Sequence, residues 1–268
     1  MYKAFYSLST APFAKESKGD TFESVSFQEA TACLTYMMQV RGMGMLVGEP
    51  GVGKTFALRM FTATLHPSRY HTVYFPLATG TVSDFYRGIA YGLSEEPRTR
   101  KGDLFRQIQG AITRSYHERK VTPVLILDEM HLANHAFLSD LHLLFNFQLD
   151  SSNPFILLLC GLPSLIDRLA LNHHRPLAQR LLVRHRMEPL NKDEVSRYVD
   201  HHMRAAGAKH DVFDDSAMEA LVACSQGYPR LINQLAVHAL LYGCQKKKEQ
   251  VNADIIRLAA EEYGLGMP

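Results

Sequence analysis

Tryptophan is missing from the chain, and the four cysteines (Cys33, Cys160, Cys224, Cys244) lie far apart in apolar segments without a C-x-x-C pair. That scatter excludes a disulfide scaffold and a zinc ribbon, and it suits free, buried thiols in a reducing cytoplasm. Long hydrophobic runs are missing too: none approaches the roughly 18–20 residues of a membrane-spanning helix. The first twenty residues, MYKAFYSLSTAPFAKESKGD, carry polar and charged side chains throughout, so they lack the apolar stretch of a secretory leader. The expectation is a cytoplasmic protein with no membrane contact. Nor does one sign of charge dominate, since a net +2 over 268 residues neither demands nor forbids nucleic acid. Thirteen histidines lack a consistent metal spacing. His131 and His135 stand as far apart as the two histidines of an H-E-x-x-H zinc helix, but Leu132 replaces the glutamate, so no metal is assigned to them.

What is present is a regular alternation. FQEATACLTYMMQV (27–40) is apolar at helical spacing, and GMGMLVGE (42–49) is a short apolar run bounded by glycines. Helical patterns over 55–65, 81–93, 104–120 and 138–149 alternate with strand-like runs at 70–77, 121–129 and 154–161. Continuous apolar strands alternating with helices predict a parallel sheet covered on both faces. LVRHRME (182–188) alternates like one further strand. After residue 190 only helices follow, over 191–207, 215–227, 229–245 and 252–264. Asn191 with Glu194 three residues on is a capping-box start. The expected organisation is an α/β nucleotide-binding domain over 1–190, with 1–26 lying near the nucleotide, and an all-helical lid over 191–268.

GEPGVGKT (48–55) fits G-x-x-x-x-G-K-[ST] at every specified position, between a strand and a helix. In such a loop the backbone N–H groups of Gly48, Glu49, Pro50, Gly51, Val52, Gly53, Lys54, Thr55 and Phe56 (Pro50 excepted, having none) wrap phosphate oxygens. Lys54 neutralises the β/γ charge, and Thr55 offers its hydroxyl to Mg²⁺. Downstream, LILDE (125–129) brings Asp128 to the C-terminal end of an apolar strand, beside the loop, where it can hold Mg²⁺ directly or through water. Glu129 follows and can orient or deprotonate an attacking water. Together the two motifs predict ATP hydrolysis with Mg²⁺.

The order of phosphate loop, LILDE, arginine-bearing turn and helical segment with GYPRLINQL resembles an AAA+ ATPase. More narrowly, MYKAFYSLSTAPFAK and GYPRLINQLAVHAL resemble the ExeA-like ATPases, a group similar to the transposition regulators TnsC, TniB, MuB and IstB. The resemblance implies a P-loop AAA+ sheet flanked by helices and a small helical lid. It gives Arg230 the sensor-2 role at the nucleotide's phosphates and Arg180 the arginine-finger role in the next subunit's site, with Arg175 as the alternative finger. Arg184 and Arg186 share a strand face continued by Glu188, which equally suits a structural ion pair. The sensor-1 position at the end of FILLLCG is usually polar, whereas here the candidates are Cys160, Gly161 and Ser164. That departure predicts a slow ATPase.

The same resemblance implies a homo-oligomer, ring or helical filament, that binds duplex DNA without sequence preference and recruits a transposase and possibly a target-selection protein. Arg98, Arg100 and Lys101 of EEPRTRKGD are the candidate DNA contacts, through phosphates alone; a solvated surface loop is the competing reading. Lys246–Lys248 suit helix-dipole complementation as well as DNA. An ExeA-type secretion ATPase and an oligomerising signalling or defence ATPase are the alternatives. The chain ends at residue 268 without a membrane segment or a peptidoglycan-binding extension after the last lid helix, which favours DNA.

Overall fold

The computed structural model describes residues 1–14, 21–76, 81–147 and 153–264. The chain divides into two compact units. One comprises Glu29–Pro50 and Lys54–Met187; the other comprises Met1–Gln28, Gly51–Gly53 and Glu188–Pro268.

The first unit is built on five parallel strands, β1 (Gly42–Gly48), β2 (Tyr70–Pro76), β3 (Thr122–Asp128), β4 (Ile156–Gly161) and β5 (Leu181–Met187), in the order β2-β3-β4-β1-β5. The continuous apolar runs become the three inner strands, in which every residue is buried. The two edge strands mix half-buried and exposed positions, β5 in strict alternation between its buried ends, and these are the sequences that carry polar residues inside the run. One sheet face takes Met45, Val47, Leu125, Leu127, Leu157 and Leu159. They pack with side chains of α4 (Val82–Gly92), α5 (Lys101–His117) and α6 (His135–Leu144), the last two contributing Ile108, Ile112 and Leu141. On the other face, a Cβ added to Gly44 would sit 3.1 Å from the sulfur of Met37 on α2 (Val25–Val40). That glycine lets α2 approach the sheet closely.

Element boundaries differ from the sequence expectation where caps intervene. The helix expected from 138 starts at His135 because the Asn134 side chain accepts the Phe137 N–H at 2.9 Å. It ends at Leu144, and the last two residues of the expected 138–149 helix lie outside the described residues. Helix α5 begins three residues earlier than expected, at Lys101, with Arg100 as its N-cap.

The second unit is helical: α1 (Tyr2–Phe5), α9 (Lys192–Ala205), α10 (Asp215–Ser225), α11 (Pro229–Gln245) and α12 (Ala253–Glu262). The capping box at Asn191–Glu194 forms, and Glu194 additionally accepts the Val25 N–H at 2.8 Å. Between α10 and α11, Gln226 and Gly227 both adopt left-handed backbone. A Cβ on Gly227 would lie 2.0 Å from the Leu190 carbonyl oxygen, so only glycine fits the turn that delivers Pro229 and Arg230 to the start of α11. The N-terminal segment groups with these helices, not with the sheet to which the 1–190 boundary assigned it. Tyr6, Leu8 and Phe13 are buried among their side chains, the Tyr6 hydroxyl donates to the Lys248 carbonyl at 3.0 Å, and the Ser9 N–H donates to the Ala206 carbonyl at 2.8 Å.

Candidate nucleotide site

Register brings the motif residues to one end of the sheet. Val47 pairs with Gly161, Gly48 with Met187, and Pro76 with Asp128, so β1, β3 and β4 all end at this edge. Strand β4 lies between β1 and β3. Asp128 therefore acts across the end of β4, where Cys160 and Gly161 present little bulk. Cys160 is fully buried, and burial, followed by the charge of Asp128, pushes its thiol well above the ordinary range while Lys54 opposes the shift. It is a neutral packing group, unsuited to a polar sensor role.

Helix α3 (Lys54–Thr64) starts directly from the phosphate loop, its N-terminal N–H groups unsatisfied by the helix itself, which is what an anion needs. Lys54 Nζ donates to the carbonyls of Gly48 at 2.6 Å and Glu49 at 3.1 Å, holding the ammonium over the loop. Its pKa is lowered, chiefly by burial; Asp128 and then Glu129 act in the opposite direction, which registers both carboxylates in the lysine's electrostatic reach. Gly51 has φ +86°, and the Arg230 N–H donates to its carbonyl at 3.3 Å within the helical unit. The Arg230 side chain is exposed.

Asp128 is 5% exposed and its two oxygens are held differently: Oδ2 accepts the Tyr74 hydroxyl at 2.8 Å, and Oδ1 accepts the Glu129 N–H at 2.9 Å. Each oxygen keeps a further lone pair, and the Asp128 carboxylate and the exposed Thr55 hydroxyl are both hard oxygen donors of the kind Mg²⁺ takes. Tyr74, on the edge strand β2, has its pKa raised by burial and then by its bond to Asp128, so it stays a donor. Sequence reading missed it, because nothing in YHTVYFP marks one tyrosine as facing the end of β3.

Glu129 sits at φ +58°, a left-handed conformation that costs a non-glycine residue about 1–2 kcal/mol. Its side chain is 53% exposed. His131, its side chain only 14% exposed, places Nδ1 3.4 Å from Glu129 Oε2 and 3.5 Å from the Leu162 N–H. One ring nitrogen cannot both donate to the carboxylate and accept from the amide, so the two long contacts compete. Gly161 leaves room for this arrangement: a Cβ there would meet the His131 backbone nitrogen at 3.1 Å. His131, which arrives from the turn after β3, is thus a polar side chain beside the end of β4. Ser164 instead opens α7 (Ser164–Ala170).

Arg175 is the first residue of α8 (Arg175–Gln179), and its side chain is exposed. Arg180, at the C-cap, donates from Nη1 to the His142 carbonyl in the last turn of α6 at 3.0 Å, where the helix dipole favours a cation. Arg184 donates to the Ala178 carbonyl. Of the basic loop, Arg98 and Arg100 have exposed side chains, and Lys101 Nζ lies 2.5 Å from Asp140. The loop itself is pinned by Gln107, which accepts the Arg98 N–H at 3.1 Å and donates to the Glu96 carbonyl at 2.7 Å. Among the described residues no helix is long and apolar enough to cross a membrane.

Comparison with known proteins agrees with this geometry. The chain is 30% identical over 266 residues to general secretion pathway protein A of Aeromonas hydrophila, a match that covers 98% of this chain and 48% of that protein, so the chain spans about half of its relative's length. Its fold is similar to that of Cdc6p from Pyrobaculum aerophilum (TM-score 0.68, 15% identity, 94% of this chain and 70% of that one). It is also similar to the Aeropyrum pernix ORC1 protein in a complex with DNA (TM-score 0.63, 14% identity, 94% and 68%). Residues 37–169 match the family described as AAA domain (AAA_22), and the parallel five-stranded sheet flanked by helices matches P-loop AAA+ folds.

Proposed function

We propose that the chain hydrolyses ATP with Mg²⁺ at this sheet edge, as an oligomer on duplex DNA, and regulates transposition by recruiting or activating a transposase. The observation that carries the ATPase reading is the convergence of the Lys54 ammonium with Asp128 and Glu129 at the common end of β1 and β3. In this reading the loop amides and Lys54 hold the phosphates, and Thr55 and Asp128 hold the metal. Tyr74 keeps the Asp128 carboxylate oriented, and Glu129 receives the proton of the attacking water. Held by Thr55 and Asp128, Mg²⁺ would supply positive charge to neutralise the phosphate oxygens. Arg230 supplies positive charge from the start of α11, and Arg180, or Arg175, completes the site of the next subunit. With a neutral Cys160 at the sensor-1 end and His131 divided between Glu129 and Leu162, the water is loosely held. Turnover below about 10 s⁻¹ is the expected result.

The DNA half of the proposal rests on the exposed Arg98 and Arg100, and on the similar fold of a protein solved in a complex with DNA. Phosphate contacts alone give binding without sequence preference and with steep salt dependence. A target-selection protein is a second partner class. The 30% identity across 98% of the chain favours one alternative, a secretion-associated ATPase. Electron microscopy with a non-hydrolysable ATP analogue, with and without duplex DNA, separates the readings. DNA-dependent rings or filaments support the regulator, and assemblies indifferent to DNA support the alternative.

A further inference from the structure

Three histidine rings meet outside the groups described so far. His135 opens α6, while His173 and His174 end a 3-10 turn, Asn172–His174, that runs directly into α8. His135 Nδ1 lies 2.8 Å from His174 Nε2 and 2.9 Å from His173 Nε2, and the three ligand-capable nitrogens all fall within 4.8 Å of one another. The rings of His135 and His174 stack at 21°, and His173 meets His135 edge-on at 75°. A ring nitrogen carries either one hydrogen or one in-plane lone pair. At best, then, the two neighbours share a single hydrogen or a single lone pair on His135, and protein atoms alone leave the trio under-satisfied.

We propose that His135, His173 and His174 form a binding site for a late first-row transition metal of the zinc class, which clamps the turn leading into α8 to the start of α6. Imidazole nitrogens suit zinc, copper and nickel, and the lack of oxygen ligands separates this site from the Mg²⁺ donors at Thr55 and Asp128. Three nitrogens leave the fourth tetrahedral position to water. His135 and His173 are exposed, giving an ion access from solvent, and His174 is buried, giving the site a fixed wall. Zinc–nitrogen bonds of about 2.0–2.1 Å set tetrahedral nitrogen–nitrogen edges of about 3.3 Å, so an ion enters with His135 Nδ1 moving away from both neighbouring nitrogens, which lie 2.8 and 2.9 Å from it. The outer shell is thin. His174 Nδ1 has no hydrogen-bond partner among the described residues, whereas a ligating histidine normally donates its other N–H. Affinity about 10–100-fold below that of a fully supported three-histidine site is the expected consequence. Arg175 follows His174 directly, so metal binding bears on the turn that presents both candidate fingers.

The test is titration of the metal-stripped full chain with Co²⁺, followed by displacement with Zn²⁺. The expected result is one equivalent bound, tighter than about 100 µM, with visible ligand-field bands and no sulfur charge-transfer band. His135→Ala and His173→Ala, both at exposed positions and checked for native circular dichroism, each weaken binding by at least about 10-fold. Asp128→Asn binds as the parent does. Zn²⁺ slows amide exchange over residues 171–175. Absence of one-to-one binding, or binding unchanged in both histidine variants, overturns the site; unchanged exchange overturns the clamp.

Discussion

The sheet edge that carries Gly48, Lys54 and Asp128 and the turn that carries Arg175 and Arg180 are built on opposite principles. The edge ends three strands in which every residue is buried and whose register is fixed by parallel pairing, so its charged groups start from a rigid frame. The turn is a 3-10 segment and a five-residue helix. One of its arginines is exposed, and the other leans on the carbonyl of His142 at the end of a helix. The edge gathers its lysine and carboxylates within one chain. In the proposed oligomer the turn supplies its arginines to the site of the neighbouring subunit.

Breaking the turn is expected to cost most. Arg180→Ala should retain ATP binding while hydrolysis falls by about 10³–10⁵-fold, the range for an arginine that completes a phosphoryl-transfer site. If single-turnover rates hold at the parental level, Arg175→Ala is the variant that should show the loss. Breaking the edge at its base should cost somewhat less: with Glu129→Gln, hydrolysis drops about 10²–10⁴-fold and nucleotide affinity holds, measured by phosphate release beside equilibrium binding. Tyr74→Phe removes the hydroxyl that steadies Asp128, and about 10–100-fold weaker Mg²⁺ activation should appear in a metal titration.

A smaller effect separates the loop's three cations. Arg98→Ala with Arg100→Ala should lower the slope of log affinity for duplex DNA against log salt by about two. Lys101→Ala should leave the slope almost unchanged, because Asp140 already holds that ammonium. Identical slopes for parent and double variant would remove the loop from the interface. The smallest effect is on the helical unit's stability. Burial, then the neighbouring His201, lowers the His202 pKa from 6.5 to about 4. A depressed folded pKa means that the stabilisation is fully present above pH 6.5 and is lost progressively as pH falls towards 4. The melting temperature should decline across that window, and His202→Gln should flatten the decline.

Legibility in the sequence followed the same division. The inner strands, the phosphate loop and the carboxylate pair could be read because each is a contiguous pattern whose meaning does not depend on the rest of the chain. Tyr74 and His131 could not, since their roles depend on which strand ends lie side by side. The insertion of β4 between β1 and β3 is a topological fact that no local spacing carries. The histidine trio was invisible for the same reason: His135 and the pair His173–His174 are brought together by folding, and the one regular spacing, His131 with His135, joins two residues with separate surroundings. In the sequence Lys101 is equivalent to Arg98 and Arg100, and only the fold supplies its partner on α6, Asp140.

Mixing two inactive variants tests the central claim, that each ATP site draws on two subunits. Glu129→Gln retains its arginines, and Arg180→Ala retains its own lysine and carboxylates. In an equal mixture with DNA and ATP, about a quarter of head-to-tail interfaces pair an intact edge with an intact arginine. The account predicts hydrolysis at a substantial fraction of the parental rate where each variant alone gives none. A mixture as inactive as its components, although both assemble together, would contradict it.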